Sequence, residues 1–478
     1  MKLRETCPLY LAGRPVARDA TIVVDDKHRA VPATRVARAG AADVEAAIAN
    51  AHAACDELRA RPAYARADVL EHVVRRLEAR RDEFAHVLVV EAGKLPAEAL
   101  GEVGRAIDTF RIASGEATRI VGELLPLDIS PRAARCEALV RRFPIGACAF
   151  ITPFNFPLNL VAHKVAPALA AGCPWVLKPA TRTPVCALLL GEILAETDLP
   201  PMSYSILPCE PEVAAPLVTD ERIQLLSFTG SPAVGWDLKR RAGKKRVALE
   251  LGGNAACIVD RDVDLDRAAE RITIGAFYQA GQSCISVQRV FAHRAVYDAL
   301  RGRLVALASK LALGPPDDER TRLGPLISES DARRVEEWVS HAVAAGARVL
   351  VGGRRHGSAY EATWLENVDP RQRVSCQEVF GPVALLAPFD EFEQALAAAN
   401  DSAFGLQAGV FTRDLAHAFA AFERLDVGGV IINDVPSFRV DSMPYGGVKD
   451  SGFGREGVRY AIEEMTERKV MVLNHDAH

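Results

Sequence analysis

The chain has 478 residues, 49% of them hydrophobic and 25% charged, a globular composition that excludes a disordered or fibrous protein. A single core stops growing at roughly 250–300 residues, so two or three domains are expected. A formal net charge of −4 gives no electrostatic case for nucleic acid or an anionic membrane surface.

No run approaches the ~20 apolar residues that cross a bilayer; the longest, Val165 to Leu177, is broken by Pro167, Gly172 and Pro174. The N-terminal residues carry an early Glu5 and no apolar h-region, so a cytoplasmic protein is expected. Ten cysteines are scattered from Cys7 to Cys376 without a C-x-x-C pair or metal-like spacing with histidine. That pattern points to reduced thiols, most of them buried as small apolar residues, and to no metal site.

From Ala41 to Glu123 the pattern is helical, with Val44, Ile48, Ala51 and Cys55 recurring at helical steps. Between Leu125 and Phe143 it turns extended, with Pro126, Pro131 and an alternating run from Cys136. The arginines there (Arg132, Arg135, Arg141, Arg142) point to an exposed arm. A strand–helix rhythm follows: strands at 146–151, 175–178, 204–207, 224–228 and 246–250, and helices at 158–171, 184–196, 212–218 and 232–242. Such alternation implies right-handed crossovers and a parallel sheet covered on both faces. After Asp260, strands at 287–293, 348–351, 383–387, 408–412 and 429–432 predict a second α/β domain, and 469–473 a strand that must join a sheet elsewhere.

The segments after the first-domain strands carry the unusual chemistry, as expected where ligands bind at strand C-termini. Asn155, between Phe154 and Phe156, offers a rigidly held amide donor; an isolated Asn there is otherwise a turn residue. Lys178 ends an apolar strand, either snorkelling or approaching a cofactor. Thr229, Gly230 and Ser231 open a helix whose N–H groups can receive a phosphate, although the run is not G-x-G-x-x-G. Glu250 ends an apolar strand beside Gly252 and Gly253, where a carboxylate is costly unless used or paired. Cys284 sits in a small polar loop after a helix expected over 271–280. Each feature has an ordinary structural explanation, but their joint occurrence in this order does not.

At these residues the chain resembles the NAD(P)-dependent aldehyde dehydrogenase superfamily, from about Leu11 to Val472. The resemblance extends to Glu378-Val-Phe-Gly-Pro382, Phe404-Gly-Leu-Gln-Ala-Gly409 and Met443-Pro-Tyr-Gly-Gly-Val-Lys-Asp-Ser-Gly452, and to the interval of 34 positions from Glu250 to Cys284. It implies a Rossmann-like dinucleotide-binding domain (1–124 and 147–255), an α/β catalytic domain (256–460) and a small β oligomerisation arm (125–146 and 461–478).

The resemblance also implies roles. Cys284 would attack the aldehyde, Asn155 with the Cys284 N–H would hold the oxyanion, and Glu250 would activate the hydrolytic water. The other nine cysteines would be packing or surface residues. Lys178 would approach the adenosine ribose, Ser231 the pyrophosphate and Glu378 the nicotinamide ribose, with Phe380 beside the nicotinamide. Many NAD-specific relatives carry a Glu three residues after the Lys, where Thr181 stands here, followed by Arg182. Loss of that carboxylate, with an arginine nearby, implies that NADP is accepted at least as well as NAD; Arg182 facing solvent is the alternative.

Arg105 and Arg439 would line the substrate tunnel with Phe154, Arg105 alternatively pairing with a helix carboxylate such as Glu102. The runs Phe156-Pro-Leu-Asn-Leu-Val-Ala-His163 and Cys284-Ile-Ser-Val-Gln288 resemble the lactaldehyde and non-phosphorylating glyceraldehyde-3-phosphate dehydrogenase branch. A small hydroxylated or anionic aldehyde is therefore expected, with His163 packed on its helix away from substrate. The rivals are a CoA-acylating dehydrogenase, against which Glu250 argues, a redox-free ester hydrolase using Cys284, and a non-catalytic scaffold derived from the enzyme. The arm and the terminal strand cannot bury an apolar face alone, so a homodimer or homotetramer is expected.

Overall fold

The computed structural model describes residues 3–475. The first two and last three residues of the expected domain ranges lie outside the described residues. Five strands, Ala147–Ile151, Trp175–Lys178, Tyr204–Ile206, Ile223–Thr229 and Arg246–Glu250, pair in parallel. Numbered along the chain, they lie in the spatial order 3-2-1-4-5. The order reverses between the first and fourth strands, which opens a crevice beyond their C-terminal ends.

These strands read as short apolar runs because both faces are covered. Cys148 and Phe150 pack with Trp175 and Leu177 against the helices Asn159–Ala171 and Val185–Ala195. Ala147, Ala149 and Val176 face the other way, onto Val44 and Ile48 of the helix Ala41–Ala53. The period of two thus splits each strand between two cores. Removing one large side chain from either core costs about 2–5 kcal/mol.

After Glu250 only residues 251–254 intervene before Ala255–Val259, an inner strand of the second sheet. That sheet runs Arg348–Val351, Thr363–Glu366, Val383–Phe389, Val287–His293, Ala255–Val259, Gln407–Phe411, Gly429–Ile432, parallel except at Arg348–Val351. So short a link carries the chain from the C-terminal end of one sheet directly to the N-terminal end of the other. The functional crevice lies between those ends.

Several elements depart from the sequence reading. Ala255–Val259 and Thr363–Glu366 are strands that the pattern does not single out, being four- or five-residue runs without alternation. The helix expected over 271–280 spans Leu265–Phe277; the Asp264 carboxylate caps it by accepting from the Arg267 N–H at 3.1 Å. The segment Tyr278–Gly281 is instead a tight turn in which Gln279, Ala280 and Gly281 all have positive φ. Leu9–Leu11 and Arg14–Val16 extend one edge of the first sheet and Gly452–Phe453 the other. Val458, Ile462 and Met465 bury in the first core, so this stretch packs with the first unit from before residue 460.

The strands Glu123–Pro126, Cys136–Pro144 and Thr466–Asn474 form a separate antiparallel sheet. On its outer strand Val470, Met471, Val472 and Leu473 are all exposed.

Candidate active site

A cavity of about 420 Å³ lies in the crevice, bounded from the first sheet by Asn155, Ser231 and Glu250 and from the second by Cys284, Glu378 and Phe380. Arg105, Phe154, Arg439 and Tyr445 also line it. Residues separated by more than 200 positions are thereby brought to one chamber.

Cys284 is half-buried, and its sulfur lies 3.1 Å from the Tyr445 hydroxyl. Burial pushes its thiol up to about 12, while the Tyr445 hydrogen bond opposes that rise by favouring the thiolate. The loop comes this close to the inter-sheet link because residue 253 has no side chain. A Cβ on Gly253 would lie 2.0 Å from the Cys284 carbonyl oxygen. Gly281 is needed for a second reason: its φ is +68° and a Cβ would meet the Gly381 carbonyl at 2.2 Å.

Asn155 is buried, and its Nδ2 donates to the Gln282 carbonyl at 3.0 Å. An amide nitrogen carries two protons, so one remains for the cavity. Glu250 is also buried, its Oε2 has no hydrogen-bond partner, and its backbone carbonyl accepts from Gly230 at 3.0 Å. Burial, reinforced by the Glu456 carboxylate, raises Glu250 well above the ordinary glutamate value, while Arg439 and Lys164 pull it down. A carboxyl so poised is suited to taking a proton near neutral or alkaline pH.

Of the cofactor residues expected from sequence, Thr229, Gly230, Ser231, Glu378 and Phe380 line the cavity, whereas Lys178, Thr181 and Arg182 lie outside its wall. Lys178 is buried, which lowers its pKa, and its ammonium donates only to the Pro179 carbonyl at 3.2 Å. Two further donors are therefore available for hydroxyl groups. Ser231 precedes the helix Pro232–Arg241 without spending its side chain on the cap, leaving hydroxyl, N–H groups and helix dipole for a phosphate. Buried Thr229 Oγ1 has no partner. Glu378 accepts from the Gly253 N–H at 2.8 Å, and burial pushes its carboxyl up to about 7. Phe380 meets Phe154 edge-on at 5.8 Å. Orphaned donors and an open helix N-terminus at the reversal of sheet order fit a dinucleotide. Thr181 reaches the Cys209 carbonyl at 3.4 Å, and the half-exposed Arg182 pairs with Asp331 at 3.1 Å.

The two expected substrate arginines both line the cavity but differ in burial. Arg105 pairs with Asp441 at 2.6 Å, not with Glu102, which is buried against Lys94 at 3.0 Å. Arg439 is buried, stacks 3.6 Å above the Tyr445 ring and reaches Glu456 at 3.2 Å, with its Nε unpartnered. Burial disfavours its charge, but Tyr445 and Glu456 more than compensate and raise its pKa. His163 is buried outside the cavity wall, with Nε2 at 2.8 Å from Asp441. It is held by that carboxylate rather than by packing on its own helix alone. Among the described residues no cluster of His, Cys, Asp and Glu could hold a metal.

Tyr445, Asp441, Glu456 and Lys164 escape the sequence reading as functional candidates. Tyr445 stands within a quoted glycine-rich run, but nothing local marks its hydroxyl as facing a thiol. Lys164 does leave a signal. It is a cation on a helix apolar all round, and such a charge must find a partner. It finds Glu456 at 3.0 Å and Ser227 at 2.7 Å.

A reversed parallel sheet with free donors at its crevice, facing a thiol and a carboxyl, defines the class: dinucleotide-dependent dehydrogenases. More narrowly, the chain belongs to the aldehyde dehydrogenase family, whose profile matches residues 16–471. It is 44% identical to a 3-sulfolactaldehyde dehydrogenase of Priestia megaterium over 98% of each chain. Among solved structures, aldehyde dehydrogenase 21 of Physcomitrella patens, in complex with the reaction product succinate, superposes with a TM-score of 0.98 at 49% identity over 99% of each chain. Glyceraldehyde-3-phosphate dehydrogenase GapN of Methanocaldococcus jannaschii, complexed with NADP, gives 0.92 at 35% identity over 96% of this chain and 100% of that one. The protein is thus an NAD(P)-dependent aldehyde dehydrogenase, and its substrate is an aldehyde. Among the described residues no helix is long and apolar enough to cross a membrane.

Proposed function

We propose that the protein oxidises a short aldehyde bearing an anionic or hydroxylated far end, with Cys284 as nucleophile. The observation that carries the substrate class is Arg439. Its buried guanidinium lies 3.6 Å above the ring of Tyr445, whose hydroxyl is 3.1 Å from the Cys284 sulfur. Thiol and cation thus both contact the same aromatic side chain, near enough for one short aldehyde to reach both. Arg105 supplies a second cation on the cavity wall, and the related 3-sulfolactaldehyde and succinate-bound enzymes are consistent with an acidic substrate end.

In this reading the Cys284 thiolate adds to the carbonyl, and its oxygen charge is met by Asn155 Nδ2 and the Cys284 N–H. When bound, the oxidised nicotinamide supplies the acceptor for the hydride lost from the adduct carbon. Glu250 then takes a proton from the water that hydrolyses the Cys284 thioester, releasing the acid and restoring the thiol. Hydrolysis through Glu250 favours free acid over transfer to CoA. Lys178 and Thr181 face the adenosine ribose, Thr229, Gly230 and Ser231 the pyrophosphate, and Glu378 with Phe380 the nicotinamide side. Arg182 reaches a 2′-phosphate by leaving Asp331, so NADP binds at least as tightly as NAD. The exposed strand Thr466–Asn474, and the apolar Leu415, Phe419 and Phe422 on the helix Leu415–Arg424, supply surfaces for a homodimer or homotetramer.

The test is steady-state turnover of three- and four-carbon aldehydes with a terminal carboxylate, sulfonate or phosphate, beside neutral analogues, with both cofactors. Acidic aldehydes should be favoured by at least ~10-fold in kcat/KM, the worth of a charge-assisted hydrogen bond. Arg439→Met should abolish that preference while sparing neutral substrates. Preference for long alkyl or aryl aldehydes would refute the substrate class. Strict NAD dependence in binding titrations would refute the NADP assignment.

A further inference from the structure

We propose that Lys94, Glu102 and Gln279 form a strut that positions Asn155 against the Cys284 loop, and that turnover depends on it through Asn155. The proposal rests on the reading of Asn155 and Cys284 given above. None of the three touches the cavity; they are positioning residues.

Lys94 is fully buried, a position where a cation is costly unless it is paired and hydrogen-bonded. Its ammonium sits 3.0 Å from Glu102, donates to Gln279 Oε1, and lies 4.0 Å over the Phe156 ring. The other Glu102 oxygen accepts the N–H groups of Leu158 at 2.9 Å and Asn159 at 3.0 Å. The ion pair thereby anchors the end of the loop that carries Asn155.

Gln279 holds the other side. Its Nε2 donates to the Asn155 carbonyl while its Oε1 accepts from the Lys94 ammonium. The amide orientation is fixed, because an ammonium only donates and a carbonyl only accepts. The Gln279 N–H donates to Glu98 at 2.7 Å, on the same helix as Glu102, Pro96–Ala117. The chain then turns through left-handed Ala280 and Gly281 to Gln282, whose carbonyl accepts from Asn155 Nδ2 at 3.0 Å. Asn155 is therefore gripped at backbone and side chain by one four-residue stretch, Gln279–Gln282, which ends two residues before Cys284. Oxyanion donors work by being held where charge will develop, and a shift of about 1 Å costs on the order of 10²-fold. A charge-fixed strut in a dry interior supplies that rigidity.

Gln279→Glu tests it, since the carboxylate still accepts from Lys94 but offers no proton to the Asn155 carbonyl. The expected result is a fall in kcat of about 10- to 100-fold, with KM, cofactor affinity and Cys284 alkylation by iodoacetamide little changed. Gln279→Asn, which keeps the amide but is one methylene shorter, should fall in the same direction. In an Asn155→Ala background the Gln279→Glu effect should shrink to less than about 2-fold, because the positioned group is gone. Multiplying defects in the double variant, or unaltered kcat in Gln279→Glu, would overturn the strut alone. Full activity of Asn155→Ala by itself would overturn the active-site reading and the strut with it.

Discussion

The two parallel sheets present opposite ends to the same cavity. In the first, every candidate group follows or ends its strand: Asn155 after Ala147–Ile151, Lys178 at the end of Trp175–Lys178, Ser231 after Ile223–Thr229, and Glu250 at the end of Arg246–Glu250. In the second they precede their strands: Cys284 before Val287–His293, and Glu378 and Phe380 before Val383–Phe389. The far end of the second sheet holds a different kind of polar group. There Asp260 accepts from Thr412 at 2.9 Å and lies 2.7 Å from His417 Nδ1, away from the cavity. The rule that ligands lie at strand C-termini thus describes the first sheet and fails for the second. The reason is the link 251–254, too short to do anything but abut C-terminal end to N-terminal end.

The contrast is most sharply tested at the proposed nucleophile. Cys284→Ala should cost ~10⁴-fold or more in kcat, as loss of a covalent nucleophile does elsewhere, measured by reduced-nicotinamide absorbance. Asn155→Ala, on the opposing sheet, should cost ~10²–10³-fold, the worth of one oxyanion donor. Lys178→Met should weaken NADPH binding by ~10-fold in fluorescence titration, the worth of one charge-assisted hydrogen bond, with smaller effects on aldehyde KM. At the far end of the second sheet, Asp260→Asn should leave kcat within 2-fold of the parent. It should lower stability by about 1–3 kcal/mol in denaturant unfolding. A large kcat loss there would break the division between the two ends.

A last effect concerns pH. Burial holds Cys284 near about 12, so the thiol is protonated at neutral pH and its thiolate fraction grows as pH rises. Alkylation of the cofactor-free protein should therefore accelerate about tenfold per pH unit through pH 8–10 with no plateau. Tyr445→Phe removes a hydrogen bond that favours the thiolate, moving the thiol further up and slowing alkylation by about 2–10-fold at fixed pH. A plateau below pH 9 would contradict the burial of the sulfur.

The first sheet was legible because its parallel strands are short, mostly apolar runs, two of which end in a charged residue, Lys178 and Glu250. The bounds of Trp175–Lys178 and Arg246–Glu250 are those that the pattern predicts. Cys284 was singled out from nine other thiols as the candidate nucleophile by its polar loop and, through the family resemblance, by its interval from Glu250; the candidate cofactor residues followed from the same resemblance. Arg105 was a candidate with two readings, and its actual partner, Asp441, lies 336 residues away, beyond any local pattern.

By itself, then, the chain determines what local chemistry can express: strand periodicity, the polar punctuation at strand ends, and the thiol in its small-residue loop. Tertiary structure alone decided how these parts meet. Tyr445 reaches the Cys284 sulfur from 161 positions away, and Gln279 reaches Asn155 from 124. Such contacts are fixed by packing two sheets end to end around a dry interior, where charges such as Lys94 and Arg439 must find partners however distant in sequence. Periodicity says which face a residue occupies, but only the assembled core says which charge it meets there.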